Sequence, residues 1–187
     1  EFRDTLEMYS RYQPCPVSIA HFLEFGRNAS RQTSFLFLSR EVPVRIANIM
    51  KELQLMPRGL RDTKGCSLVT RQYAQSFKEM TYFGNLSAKD PAILNDFTSS
   101  LMTIRERHSD TVIAMAEAVM ELKSNERKAN KGKDASVIRH RDTRPKFEKN
   151  IQYFLDRLYT SRISTRMLIN QHTMLFDDPD HVSIYLA

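Results

Sequence analysis

The sequence predicts an all-α fold, an antiparallel four-helix bundle with a short N-terminal helical flap. Three observations predict it. Apolar residues recur at helical spacing along most of the chain, and no alternating strand pattern competes. Cap residues, prolines and glycines punctuate the ends of those runs. Two of the runs are very long and two are shorter, which suits a bundle with a small extra element before it.

The elements follow in order. Ser18 caps a short amphipathic segment after Pro16, which reaches Phe25 and stops near Gly26. Thr33 or Ser34 caps a longer one ending at about Leu55, before Pro57, and Pro43 should kink it or divide it in two. A third runs from about Ser67 to Phe83 and ends at Gly84. Asp90 and Pro91, an acidic cap with proline at the first helical position, open a fourth that continues to about Arg127. At 1.5 Å per residue it should be roughly 55 Å long. The fifth runs from about Pro145 to Phe176 and stops before Pro179. Lys128 to Arg144 is a polar crossover, and residues 177–187 resemble the beginning of a truncated segment.

Composition narrows the function. A chain of 187 residues, 41% hydrophobic and 27% charged, is ordinary globular protein with room for one core. No run of 18 apolar residues predicts membrane insertion, and Glu1–Phe2–Arg3 does not open a signal peptide. Residue 1 is not Met, so localisation stays open at this stage. Five glycines and no Gly-rich phosphate loop argue against a nucleotide site. Cys15 and Cys66 have no metal-ligand spacing and are expected as free thiols, and His140, His172 and His181 form no metal pattern with carboxylates. Between Lys123 and Lys146 nine basic residues face three acidic ones, which accounts for the whole net charge of +6. Aromatic residues are absent from that stretch, so it is expected as a solvated loop rather than a nucleic-acid surface.

Chemistry interrupts the core stripes. Along the fourth run, rotation by 100° per residue aligns Leu94, Phe97, Leu101, Val112, Met115 and Val119, with Arg105 and His108 in the middle of the line. Along the fifth, Ile151, Phe154, Leu155, Leu158 and Ile169 align, with Arg162 at the centre and Ser161, Thr165 and Arg166 beside it. On the third, Tyr73 and Ser76 share a side with Val69, Phe77 and Met80. A guanidinium facing a core needs a partner. Either carboxylates such as Asp96, Glu106 or Glu117 neutralise these cations, or the Arg side chains snorkel out to water, or the cations hold a small anionic ligand. A carboxylate would suit Arg forks, with His108 as a further donor when protonated. His108, followed by Ser109 and Asp110, is otherwise a satisfied core histidine or a phospho-acceptor. Phe22, Phe25, Phe35 and Phe37, with Leu23 and Leu38, crowd one end, either as core or as a groove for a partner.

The chain resembles the N-terminal domain of the mitochondrial pyruvate dehydrogenase kinases across nearly its whole length. The resemblance is carried by Arg11–Ser18 (RYQPCPVS), Phe22–Gly26 (FLEFG), Thr33–Leu38 (TSFLFL), Pro43–Glu52 (PVRIANIMKE), Ile104–Asp110 (IRERHSD), Asn150–Arg157 (NIQYFLDR) and Ser161–His172 (SRISTRMLINQH). The last two are closer to the pyruvate branch than to the related branched-chain ketoacid dehydrogenase kinases, which share the fold. The resemblance implies a regulatory and docking domain over residues 1–180. An ATPase half would follow, of the type shared with bacterial histidine kinases, and residues 181–187 would begin it. The general base and the residues for ATP and Mg²⁺ would lie there, leaving no catalytic or metal residue and no cofactor in this chain.

The resemblance further implies a mitochondrial matrix protein whose full-length kinase phosphorylates serines of pyruvate dehydrogenase and inactivates it. An allosteric pocket for a 2-oxo acid such as pyruvate, or for dichloroacetate, would comprise Ile46, Tyr73, Ser76, Ile104, Arg105, His108, Ser161, Arg162, Thr165, Arg166 and Ile169. Thr165 stands where the family usually has isoleucine. Phe22, Phe25 and Phe37 would line the slot for the lipoyl-lysine of the acetyltransferase core, a surface completed in the family by a C-terminal tail from the other subunit. The basic crossover is longer than the family's. The alternatives are a non-catalytic helical adaptor competing for lipoyl domains, or the equivalent domain of a branched-chain ketoacid dehydrogenase kinase.

Overall fold

A computed structural model describes residues 1–130 and 144–176, and all of its regular elements among those residues are helices. They are α1 (Phe2–Ser10), α2 (Ile19–Asn28), α3 (Arg31–Leu55), α4 (Arg58–Arg61), α5 (Lys64–Phe83), α6 (Pro91–Arg107), α7 (Thr111–Asn130) and α8 (Arg144–Phe176). The heart of the polar crossover and the segment 177–187 lie outside the described residues. No described helix is long and apolar enough to cross a membrane.

Helix α3 is the spine. It packs on α1, α5, α6 and α8, while α5 also meets α6 and α7, and α6 meets α8. Ser30 caps α3 by accepting from the Thr33 amide at 3.1 Å, a turn earlier than expected. Pro43 does not divide it, because the helix runs unbroken from Arg31 to Leu55. The buried ring of Pro43 sits among Val42, Ile46 and Ala47, all within 1% of full burial, and tertiary packing outweighs one lost backbone hydrogen bond.

The other boundaries shift for local reasons. Thr63 caps α5 through the Cys66 amide, so the helix starts at Lys64 rather than near Ser67. Gly65 lies where α5 crosses α7, and a Cβ there would sit 2.1 Å from the Ala114 carbonyl oxygen. Only glycine permits that approach. Ser18 caps α2 as expected, yet α2 continues through Gly26 to Asn28. Two elements were not expected: the single turn α4, and α1, whose Phe2 and Tyr9 rings meet Phe77 edge-on at 5.8 and 5.6 Å.

The main correction concerns the fourth run. It is two helices, broken at His108–Asp110. His108 closes α6 with φ −92° and ψ 7°, between the helical and extended regions. The Thr111 hydroxyl then donates to the His108 carbonyl at 3.0 Å, and α7 restarts. The break changes the phase of the stripe. Val112 is consequently 43% exposed, and Thr111, Ala114, Met115, Ala118 and Leu122 are the buried positions of α7.

Candidate functional site

The break in α6–α7 creates a problem that α8 solves. Carbonyls at the end of α6 lack partners from a following helical turn. Arg162, on α8, donates from Nη2 to the carbonyls of His108 at 2.9 Å and Ser109 at 3.2 Å. Arg166, one turn on, donates to the Arg105 carbonyl at 3.2 Å. A cation at a helix C-terminus is favoured by the dipole as well as by the bonds. Arg105 itself reaches back to the Thr173 hydroxyl at 3.2 Å.

Tyr73, Arg105, His108, Arg162, Thr165, Arg166 and Ile169 close around a cavity of about 20 Å³, room for one water. Four of the other expected residues stand back from it. Ser76 is one hydrogen bond behind His108. Ile46 and Ile104 are core side chains, 1% and 0% exposed. Ser161 contributes its carbonyl, which accepts from Thr165 at 2.8 Å.

The electrostatics of the cavity are unbalanced. The carboxylates that might have neutralised it, Asp96, Glu106 and Glu117, are all exposed. Among the described residues Arg105, Arg162 and Arg166 form no ion pair; the described pairs of arginine join Arg11 to Glu7, Arg45 to Glu41, Arg107 to Glu79 and Arg157 to Glu52. Among the described residues each of the three cavity guanidiniums bonds only neutral oxygens. The Nε of Arg162 is buried and bonds nothing described.

His108 is held neutral. Its ring stacks on Tyr73 with centroids 4.1 Å apart, and burial, followed by the charges of Arg107 and Arg162, lowers its pKa to about 4. A hydrogen bond with the Gln72 carbonyl and the charge of Glu79 pull the other way. The Ser76 hydroxyl donates to the Gln72 carbonyl at 3.0 Å and accepts from Arg107 at 2.8 Å. Its one proton is therefore used, and the 3.0 Å contact to His108 Nε2 assigns the ring hydrogen to that nitrogen. Tyr73, likewise buried, has its hydroxyl pKa pushed up to about 12.

The aromatic end forms a second feature. Phe22, Phe25 and Phe37 line a cavity of about 260 Å³ with Cys15, Pro16, Val17, Leu38, Leu168 and Gln171. The Phe25 and Phe37 rings lie 6.1 Å apart. Phe35 is not part of it; 1% exposed, it packs edge-on to Phe97 at 4.8 Å in the core. Gln171, which the sequence did not single out, donates to the Phe22 carbonyl at 2.6 Å and fixes α2 against α8. Leu168 and Gln171 face this slot from the same turns of α8 that present Thr165 and Ile169 to the cationic cavity.

Residues 16–184 match the model of a protein family described as mitochondrial branched-chain alpha-ketoacid dehydrogenase kinase. The chain belongs to that family. Similar curated proteins are the mitochondrial pyruvate dehydrogenase (acetyl-transferring) kinase isozyme 3 of Mus musculus, 47% identical over 172 residues, and its Homo sapiens counterpart, 46% identical over 172 residues. The corresponding Drosophila melanogaster kinase is 44% identical over 176 residues. These alignments cover 91% to 94% of this chain but only 38% to 39% of the relatives. The chain therefore spans about two fifths of their length. The residues of the cationic cavity fall inside the matched region, as do those of the aromatic slot apart from Cys15.

Proposed function

We propose that this chain is the regulatory and docking region of a kinase of the pyruvate dehydrogenase complex, acting in the mitochondrial matrix. Its core is an antiparallel four-helix bundle of α3, α5, α6 with α7, and α8, with residues 1–180 as one unit and α2 as the flap. Catalysis, ATP and Mg²⁺ belong to the kinase's other half, and the full kinase acts on pyruvate dehydrogenase.

The cationic cavity takes a small 2-oxo acid. The observation that carries this is three guanidiniums around one cavity with neutral partners only, one of them with a buried, unused Nε. A carboxylate supplies the missing charge and accepts from that nitrogen. The ligand is larger than the cavity, so Arg105, Arg162 and Thr165 must draw apart to admit it. That requirement makes binding a choice between two arrangements of α6 and α8, which is what an effector needs. An anion beside His108 also favours the imidazolium, so binding should raise its pKa from about 4. Calorimetric titration with dichloroacetate at pH 7 and pH 6 tests both points. Saturable binding that tightens as the pH falls is expected, and no binding at either pH would reject the site.

The aromatic slot takes the lipoyl-lysine arm of the acetyltransferase core. An apolar, tethered chain is bound by burial, at about 25 cal/mol for each Å² removed from water. Phe25→Ala should weaken binding of a lipoylated lipoyl domain at least tenfold. Unchanged binding would reject the slot.

A further inference from the structure

Between α1 and α2 the chain runs extended, with prolines at 14 and 16. Cys15 lies between them, so its amide is the one peptide donor in the Pro14–Pro16 stretch. That amide donates to Glu41 Oε1 at 2.9 Å, and the Cys15 carbonyl accepts from Arg45 Nη2 at 2.7 Å. Glu41 and Arg45 pair with each other at 2.7 Å, and Arg45 also donates to the Ser164 hydroxyl on α8 at 2.8 Å. One turn further along α3, Asn48 donates to the Tyr12 carbonyl at 2.9 Å. Glu41, Arg45 and Asn48 are spaced i, i+4, i+7, so one face of α3 holds the strap at three peptide groups, through the Cys15 amide and the Cys15 and Tyr12 carbonyls.

An i,i+4 ion pair is ordinarily a solvated decoration. This one is buried, with Glu41 8% and Arg45 7% exposed. Burying two charges is costly, and apolar replacements of similar volume often serve stability as well or better. What the charges do here that apolar residues cannot is bond both the amide and the carbonyl of one strap residue, Cys15. The strap they hold forms the wall of the aromatic slot through Cys15, Pro16 and Val17. The same three residues wall a second cavity of about 300 Å³, lined also by Ile19, Arg45, Ser164 and Met167. A strap free to shift between these two spaces would leave the slot without a fixed width.

We propose that Glu41, Arg45 and Asn48 are positioning residues for the docking slot, setting its shape through the backbone of the strap. This inference rests on the slot's lipoyl reading. The test is the double variant Glu41→Leu/Arg45→Met, which removes both charges together and leaves no unpaired ion. It should stay folded, lose affinity for a lipoylated lipoyl domain about tenfold, and exchange its Cys15 amide about tenfold faster, one lost hydrogen bond's worth. Dichloroacetate affinity should stay within about twofold, because the cationic cavity is untouched. Glu41→Gln keeps the oxygen that accepts from Cys15 and should bind within about threefold of the parent. Asn48→Ala leaves the ion pair alone and should weaken docking by about threefold, which tests the strap independently of the double variant's stability. A double variant that docks as tightly as the parent overturns the proposal. If Phe25→Ala also docks unchanged, or the parent does not dock, the slot reading itself has failed.

Discussion

Acidification from pH 7 to pH 5 should cost the fold about 4 kcal/mol, nearly all of it through two buried histidines. His108 and His172 are 8% and 1% exposed, and burial lowers each pKa from 6.5 to about 4. His172 is packed between the Ser34 hydroxyl at 2.6 Å and the Thr98 hydroxyl at 3.0 Å, and the charge of Arg31 adds to the effect of burial. Both groups are depressed bases, so the unfolded chain takes up protons first. Between pH 6.5 and 4 it binds up to two more than the native state, and stability falls as the pH falls. Above pH 7 neither group contributes a slope. Each histidine is worth about 2 kcal/mol between pH 7 and 5, and about 3 kcal/mol once the pH is below 4. Against a typical domain stability of about 5–15 kcal/mol, the chain should be close to unfolding near pH 4. Urea unfolding at half-unit steps from pH 7.5 to 4.5 measures this directly, and His172→Asn should roughly halve the slope below pH 6.5. Equal stability at pH 7 and 5 would refute the assignment of two neutral, desolvated imidazoles.

Other expectations follow from packing and exposure. Gly65→Ala should destabilise the chain by about 3 kcal/mol or more, since the added carbon meets the Ala114 backbone and not a movable side chain; urea midpoints check it, and a change under about 0.5 kcal/mol would contradict the α5–α7 crossing. Under native conditions a thiol reagent should titrate Cys15 rapidly and Cys66 slowly. Cys15 is exposed, whereas Cys66 is 2% exposed with its thiol pKa raised, chiefly by burial. Fast modification of both would show that the α5 end of the core is open.

How much of this was legible in the sequence depends on the distance over which each feature is decided. Arg105, His108 and Arg162 could be placed on inner faces because a 100° rotation is a local rule, and the cavity lies before the break in the long run. The break itself carries no proline or glycine; at His108–Ser109–Asp110 the freed carbonyls are satisfied locally by Thr111 and from α8 by Arg162, and the Arg162 contact is tertiary. Val112 was misplaced for the same reason. Helix α1 could have been found, since Phe2, Leu6 and Tyr9 fall at i, i+4 and i+7. The burial of Glu41 and Arg45 could not, because the spacing alone describes a surface pair equally well. Ile46 and Ile104 lay on the correct faces, but only depth separates a cavity wall from the core behind it.

Binding of dichloroacetate to the parent chain and to Arg162→Ala, followed by calorimetry at pH 7, tests the proposed effector site most directly. The cavity arrangement predicts saturable binding by the parent and its loss, by a hundredfold or more, when the guanidinium with the unused Nε is removed. Equal affinity in the two proteins would contradict it.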